Sequence, residues 1–238
     1  MKQITITPKL CEFVGALIGD GHMWTDGSRF RIGLTGHPKL DLNYYNYLSD
    51  VAYELFGKRP YKFKVRYGGL RFTLQQKEAF LFLKSIGLPS GPKAKTITIP
   101  KSIIEKGWGC TSSTVRGIFD TDGTVFFSKK TYEESIYPTV EISTTSGAMA
   151  QQLRDILDQH FFRVHKREQI RKDGTGSDYH ISVYGTKMLE KWFNEIGSSN
   201  SRHMDKFLKY KKSYKGDINN RHSYAAIAQW DSVNSATL

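Results

Sequence analysis

Apolar residues recur at helical spacing after Thr7-Pro8, at Leu10, Phe13, Val14, Leu17 and Ile18. A hydroxyl residue followed by Pro marks a helix start, the first as N-cap and the second where a missing N–H costs nothing. The stripe is wider than one face, which predicts a helix packed on a sheet and on a second helix. The period then changes. Arg29 to Thr35 alternates, with Phe30, Ile32 and Leu34 on one side and Arg29, Arg31 and Thr35 on the other, as in a half-buried strand. A strand before it is only faintly marked, at Met23 to Thr25. A helix over about Asp41 to Leu55 follows, with Leu42, Tyr45, Leu48, Ala52 and Leu55 as its stripe. Tyr61 to Tyr67 and Leu70 to Gln76 alternate about Gly68-Gly69, a tight hairpin turn, with Phe72 and Leu74 inward. A short helix, about Glu78 to Ile86, ends at Gly87.

Residues 88–100 are rich in Pro, Gly and Lys and read as a linker. The same order then repeats. A helix ends near Asp122. Thr124 to Phe127 and Thr139 to Ser143 are strands, Ala148 to Phe161 is a helix, and Arg163 to Ile170 and Tyr179 to Tyr184 flank a polar loop. A further helix covers Lys187 to Ile196, and residues 215–238 form a partly ordered tail. The predicted fold is mixed α/β: two pseudo-symmetric αββαββα repeats, residues 1–104 with the linker and 105–238 with the tail, whose antiparallel sheets make a saddle.

The repetition is sharpest in two nonapeptides. Phe13-Val-Gly-Ala-Leu-Ile-Gly-Asp-Gly21 returns as Val115-Arg-Gly-Ile-Phe-Asp-Thr-Asp-Gly123, a small domain's length later. Each reads as the end of an apolar helix, with Gly21 or Gly123 available for a left-handed cap. Asp20 and Asp122 fall where a helix carries partial negative charge, so each is repelled there. Two such acids at matching points imply a cation between them. If the helices pack side by side, Gly15 and Gly117 allow close backbone approach and both carboxylates meet at the bottom of the seam. Hard divalent ions such as Mg²⁺ suit an oxygen site completed by water and phosphate.

Composition narrows the partner. The formal charge is +12, with 13 Tyr and 14 Phe, and a polyanion is the natural ligand of such a chain, nucleic acid first. Outward positions of the first repeat are Arg29, Arg31, Thr35, Lys62, Lys64, Arg66, Arg71, Thr73 and Gln75. Those of the second include Glu141, Ser143, Arg163, His165, Arg167, His180 and Ser182. Exposed sheet faces are ordinarily polar. The excess of Arg, Lys and Gln over acids goes further, since Arg and Lys pair with guanine edges and Gln with adenine, and a β-ribbon fits the major groove. The two faces differ, so the preferred duplex site is asymmetric. Cys11 and Cys110 give no disulfide framework and no zinc spacing; each is a small buried thiol. No apolar run is long enough to span a membrane, and the first residues lack a signal-peptide core, which places the chain in an intracellular, reducing compartment. Asp120 to Gly123 imitates an EF-hand start, but its Gly is misplaced and Thr131 stands at the twelfth position. No Walker A loop and no nucleophile–base pair is present.

The paired nonapeptides resemble the two motifs of a single-chain LAGLIDADG homing endonuclease, over roughly residues 8–210. The family often has an acid at the sixth position, which Asp120 supplies and Ile18 does not. Its metal-binding acid is the eighth residue, here Asp20 and Asp122. The resemblance implies site-specific, metal-dependent double-strand cleavage of DNA by a monomer, from an intron- or intein-type reading frame. It implies Asp20 and Asp122, with the preceding Gly19 and Thr121, as ligands of Mg²⁺ (or Mn²⁺). It also implies a basic active-site residue near the end of each repeat. Lys95, ahead of Ile99-Pro100, is the candidate in the first, with Lys93 as rival; Lys206 is the candidate in the second. The alternative is a binding role on the same scaffold: an RNA maturase acting on intron RNA, or a non-cleaving DNA-binding regulator.

Overall fold

Thr7 accepts a hydrogen bond from the Leu10 amide at 3.3 Å and Pro8 fills the first turn, so the first helix, α1, runs Pro8–Ile18. The computed structural model describes residues 4–64, 68–129 and 136–216. After α1 come β1 (Gly21–Thr25), β2 (Phe30–Gly36), α2 (Leu42–Phe56), β3 (Tyr61–Lys64), β4 (Leu70–Gln75) and α3 (Lys77–Ser85). A short α4 (Lys101–Ile104) leads to the second series: α5 (Trp108–Asp122), β5 (Gly123–Lys129), β6 (Ile136–Thr144), α6 (Gly147–Gln159), β7 (Val164–Ile170), β8 (Ser177–Tyr184), α7 (Thr186–Glu195) and α8 (Ser201–Gly216). Both series follow the αββαββα order expected, and the faint strand at Met23 is real. Each gives a four-stranded antiparallel sheet, ordered β1-β2-β4-β3 and β5-β6-β8-β7.

Alternation decides what each sheet buries. Ile32, Leu34, Phe72 and Leu74 of the first sheet and Val125, Val140, Ile142, Ile181 and Val183 of the second are buried under the helices. Phe13 of α1 packs edge-on to Phe56 and tilted to Phe72; Phe119 of α5 meets Trp192 edge-on. Each such side chain contributes about 1.5–3 kcal/mol by burial. The most extensive contact between helices is α1 against α5.

Several expectations are corrected. In α2 the buried residues include Tyr44, Val51 and Phe56, while Leu42 is exposed. Leu42 and Asn43 sit exposed in the first turn, while Tyr44, Tyr45, Leu48, Val51 and Ala52 share the buried face at helical spacing. The β3–β4 register runs from Tyr61↔Thr73 to Lys64↔Leu70, which is out of step with a two-residue turn at Gly68-Gly69; residues 65–67 lie outside the described set. Residues 88–100 are not a loose linker. Leu88, Ile97 and Ile99 are buried, the Gly91 amide donates to Met23 O at 2.9 Å, and Gln152 of α6 bonds both the amide and the carbonyl of Ile99. α8 extends past residue 215; the expected tail beyond 216 lies outside the described residues. Gly21 and Gly123 are not left-handed caps. Both open strands, and a Cβ on either would meet the carbonyl of the helix just ended, 2.5 Å from Leu17 O or 2.4 Å from Phe119 O. Cys11 and Cys110 are buried free thiols, as expected. Among the described residues no helix is long and apolar enough to cross a membrane.

Candidate active site

The site grows out of the α1–α5 seam. A Cβ on Gly15 would sit 2.1 Å from Thr114 O, and one on Gly117 2.1 Å from Glu12 O, so the two backbones touch. That contact brings the two motif ends together. A Cβ on Gly19 would meet Thr121 Oγ1 at 2.0 Å and Asp122 Oδ2 at 3.1 Å, which places the end of one motif against the acid of the other.

The electrostatics are those of crowded, desolvated acids. Burial pushes the Asp20 carboxyl up to about 7, and the charges of Asp122 and then Asp41 add to it. Tyr45 donates to Asp20 Oδ2 at 3.4 Å and Arg202 stands near; both partly offset the rise. Burial likewise pushes Asp122 up to about 6, opposed by Lys93. The Lys93 ammonium donates to Ile18 O and, at 2.9 Å, to Gly19 O at the end of α1. Burial lowers its pKa, and the charges of Asp122 and Asp20 hold it up.

Lys93, the rival, is therefore the cation beside the acids, and Lys95 is not. The Lys95 ammonium donates to Thr175 O at 3.1 Å, in the β7–β8 loop of the other repeat. The two lysines are separated by one residue and fall at the same parity of the Thr96-Ile97-Thr98-Ile99 alternation, so spacing alone could not choose. Lys206 bonds Val125 O at 2.9 Å, while Arg202, one helical turn earlier on α8, pairs with Asp41 Oδ1 at 3.6 Å and reaches the field of Asp20. Lys93 from the first repeat and Arg202 from the second thus stand toward the acids.

The donor set fits a hard divalent ion. Mg²⁺ commonly takes one or two protein carboxylates and completes its shell with water and phosphate. Among the described residues no cluster of three or more His, Cys, Asp or Glu side chains is preformed. Burial raises both Asp20 and Asp122 despite Arg202 and Lys93, and a dication beside them would favour their charged forms. Gly19 O keeps a second lone pair after accepting from Lys93. The Thr121 hydroxyl turns back to Gly117 O and Ile118 O, so this residue's offer to a metal is a carbonyl in the last turn of α5, where the helix has no amide to match it.

Register decides which residues share the outer faces. Across the first sheet, Arg31↔Gln75, Gly33↔Thr73 and Thr35↔Arg71 lie in rows, and Arg31, Thr35, Arg71 and Gln75 are at least partly exposed; Thr73 is buried. Arg29 lies just before β2 and is held by Asp26, whose Oδ1 accepts its amide at 2.7 Å. In register Lys62 and Lys64 pair with Phe72 and Leu70 of β4, and their side chains lie outside the described set. Arg66 lies outside the described residues. In the second sheet Glu141↔Ser182 and Ser143↔His180 lie side by side, continued by His165 and Arg167 of β7; Arg163 precedes that strand and is exposed, and Ser182 is buried. His22 and Trp24 of β1 and Tyr61 of β3 share the outer face of the first sheet and were not expected there. Trp24 lies under the Arg31 guanidinium at 5.3 Å, and Gln75 donates to Tyr61 OH at 3.1 Å.

A second acid pair lies deeper. Asp120 is fully buried and accepts from Ser198 Oγ and, at 2.8 Å, from the Ser199 amide, while Asn200 Nδ2 donates to Asp120 O at 3.0 Å. It fastens the α7–α8 turn and so the start of α8, which carries Arg202. Burial pushes its carboxyl up to about 7, with the hydrogen bonds from Ser198 Oγ and the Ser199 amide opposing the rise. Glu12 of α1, also buried, accepts from Tyr47 OH at 3.1 Å and faces Arg116 Nη1 at 3.4 Å.

Comparison with known proteins agrees with this geometry. Residues 111–197 match the model of a LAGLIDADG-like domain. The chain is 26% identical over 201 residues to the replication factor C small subunit of Methanocaldococcus jannaschii, covering 84% of this chain and 10% of that protein. It is 27% identical over 205 residues to the replication factor C small subunit of Thermococcus kodakarensis, covering 85% and 21%. The chain thus spans only a small part of the length of these relatives. The fold is similar to the meganuclease I-SmaMI bound to uncleavable DNA, with a TM-score of 0.58, 11% identity and 98% of each chain covered. It is also similar to I-DmoI in complex with DNA and Ca, with a TM-score of 0.54, 11% identity and coverage of 82% and 94%.

Proposed function

We propose that this chain, which has the two-repeat fold of single-chain LAGLIDADG homing endonucleases and a LAGLIDADG-like domain at residues 111–197, makes a metal-dependent double-strand break in a long, asymmetric DNA site. The observation that carries the reading is the placement of Asp20, Asp122 and Lys93 at a seam flanked by two sheets with polar outer faces. Asp20 and Asp122 are the metal ligands, with Gly19 and Thr121 offering carbonyls. Mg²⁺, or Mn²⁺ in its place, would be held by these residues and would supply Lewis-acid activation of water and charge stabilisation for the leaving 3′ oxygen. Lys93 holds its proton close to both carboxylates and offsets charge that develops on the phosphate. Arg202 restrains Asp41 and eases ionisation of Asp20. The half-buried Arg31 and the exposed Arg71 and Arg167 neutralise phosphates or read bases, and Trp24 and Tyr61 add flat contact area.

A non-cleaving regulator gains nothing from two acids held at such cost, which favours the nuclease over that alternative; nothing in the site favours an RNA maturase. Both curated relatives are far longer than the segment matched, which supports an intein-type homing segment within a host polypeptide. The same reading divides the chain into repeats at 1–104 and 105–238 and has it act as a monomer. Digestion of a randomised duplex library with Mg²⁺ and sequencing of the cut ends is expected to give one asymmetric motif. Sedimentation of the cutting complex should show one 27.2 kDa chain per duplex. Absence of metal-dependent cutting, or two chains per site, would refute it.

The lysine assignment is tested separately. Lys93→Met is expected to lower single-turnover cleavage by about 10²-fold or more with DNA affinity little changed, the loss typical of an electrostatic group at developing charge. Lys95→Met should stay within a few-fold of the unchanged protein. The reverse order of effects would restore Lys95 to the site.

A further inference from the structure

The two sheets present different chemistry at the equivalent position beside the acids. In the first, β1 pairs with β2 from Gly21↔Leu34 and His22↔Gly33, with Thr73 of β4 across from Gly33. In the second, β5 pairs with β6 from Gly123↔Ile142 and Thr124↔Glu141, with Ser182 of β8 across from Glu141. Glu141 therefore stands where the first sheet has Gly33. Gly33 is bare because the His22 imidazole lies over it; a Cβ there would come within 2.4 Å of His22 Cε1.

Glu141 faces away from the core, since its neighbours Val140 and Ile142 are buried on the opposite side. It is held on both oxygens. Ser182 Oγ donates to Oε2 at 2.7 Å, and His180 Nδ1 lies 3.0 Å from Oε1 and 3.1 Å from Ser143 Oγ. A carboxylate has room for about four acceptor contacts, so lone pairs remain for a ligand. Its cross-strand partner Thr124 is two residues past Asp122, so it stands close to the cutting centre.

A fixed carboxylate on a face turned toward a polyanion weakens every contact with phosphate. What a duplex offers to an acceptor-only group is an exocyclic amino group in the major groove, and cytosine N4 is its usual partner. We propose that Glu141 specifies a cytosine in the half-site contacted by the second sheet, and that it does so by disfavouring every other base there. The proposal rests on the DNA-cleaving reading and adds a specificity determinant to it.

The test is selection of binders from a randomised duplex library in Ca²⁺ by the full chain, by Glu141→Gln and by Glu141→Ala. The unchanged protein should prefer cytosine at one position of its motif by about tenfold or more. Glu141→Gln keeps the shape and the Ser182 bond, and should move that position alone toward adenine. Glu141→Ala should flatten it and bind an unrelated duplex more tightly than the unchanged protein does. Both variants should melt as cooperatively as the parent, and Glu141→Gln, nearly isosteric, decides the matter if Glu141→Ala does not fold. A motif identical at every position in parent and variants, or a preferred base other than cytosine at the altered position, overturns the assignment and leaves DNA recognition standing. A parent with no motif at all overturns both.

Discussion

Asp20→Asn is expected to make the metal-free protein more stable and to abolish cleavage. Asp20 has its carboxyl pushed up to about 7 by burial and by the charges of Asp122 and Asp41. A pKa raised on folding means that the folded state holds the proton more tightly than the unfolded chain. The penalty is therefore absent below the unfolded value near 4, grows as pH rises through the window from about 4 to 7, and is complete above it. Asp122, at about 6, and Asp120, at about 7, add to the same trend, so the metal-free protein should lose stability steadily across this window. At pH 8 the Asn variant should gain about 2–4 kcal/mol of unfolding free energy, and at pH 4 almost none. Metal reverses the order. A divalent ion that binds only the folded state raises stability with its concentration, and this gain should appear in the unchanged protein and vanish in the variant. Cleavage by the unchanged protein should fall as pH drops below about 7, because protonated Asp20 is a poor ligand. Urea melts at pH 4 and 8, with and without Mg²⁺, measure all of this. A variant that still cuts, or one less stable than its parent at pH 8, would remove Asp20 from the metal site.

Periodicity made most of the fold legible, and its failures have definite causes. Strands with one buried face, such as β2, β4 and β6, announce themselves by alternation. β1 does not: His22 and Trp24 occupy its outer face, and an apolar Trp beside Met23 erases the alternation. α8 was missed because its buried row is His203, Phe207 and Tyr210, at proper helical spacing but opening on a His that counts as polar in any pattern. His203 is held neutral by burial, its pKa well below the usual range. The acids at the seam were legible from duplication. The choice between Lys93 and Lys95 was not, because it depends on which ammonium reaches the carbonyls that end α1, a contact 74 residues apart in sequence. Arg202 and the Asp120 clamp were hidden for the same reason: the turn at residues 198–200 carries no periodic signal, and its hydrogen bonds exist only once α5 is beneath it.

Gly117→Ala is expected to cost about 3 kcal/mol or more and to lower cleavage with it, although the residue touches neither metal nor DNA. The added methyl would fall 2.1 Å from Glu12 O, 2.7 Å from the Ala16 amide nitrogen and 2.9 Å from Gly15 Cα. All three are backbone atoms inside a helix, so no side chain can swing aside. The strain must be relieved by moving α1 and α5 apart, and overpacking that cannot relax lies at the upper end of its usual 1–3 kcal/mol range or beyond. Alanine is the better helix former by about 1 kcal/mol, so intrinsic propensity predicts the opposite sign and gives the test its edge. Separation also moves Asp20 from Asp122. Their mutual repulsion falls, and the site loses the spacing that lets one cation serve both. The variant should therefore show weaker metal-dependent stabilisation as well as a lower melting point. Gly109→Ala on the same helix provides the control, since a Cβ there meets nothing within 4 Å, and it should be neutral or slightly stabilising. If Gly117→Ala melts at or above the parent temperature, the two motif helices are not in backbone contact, and the convergence of the two carboxylates loses its structural basis.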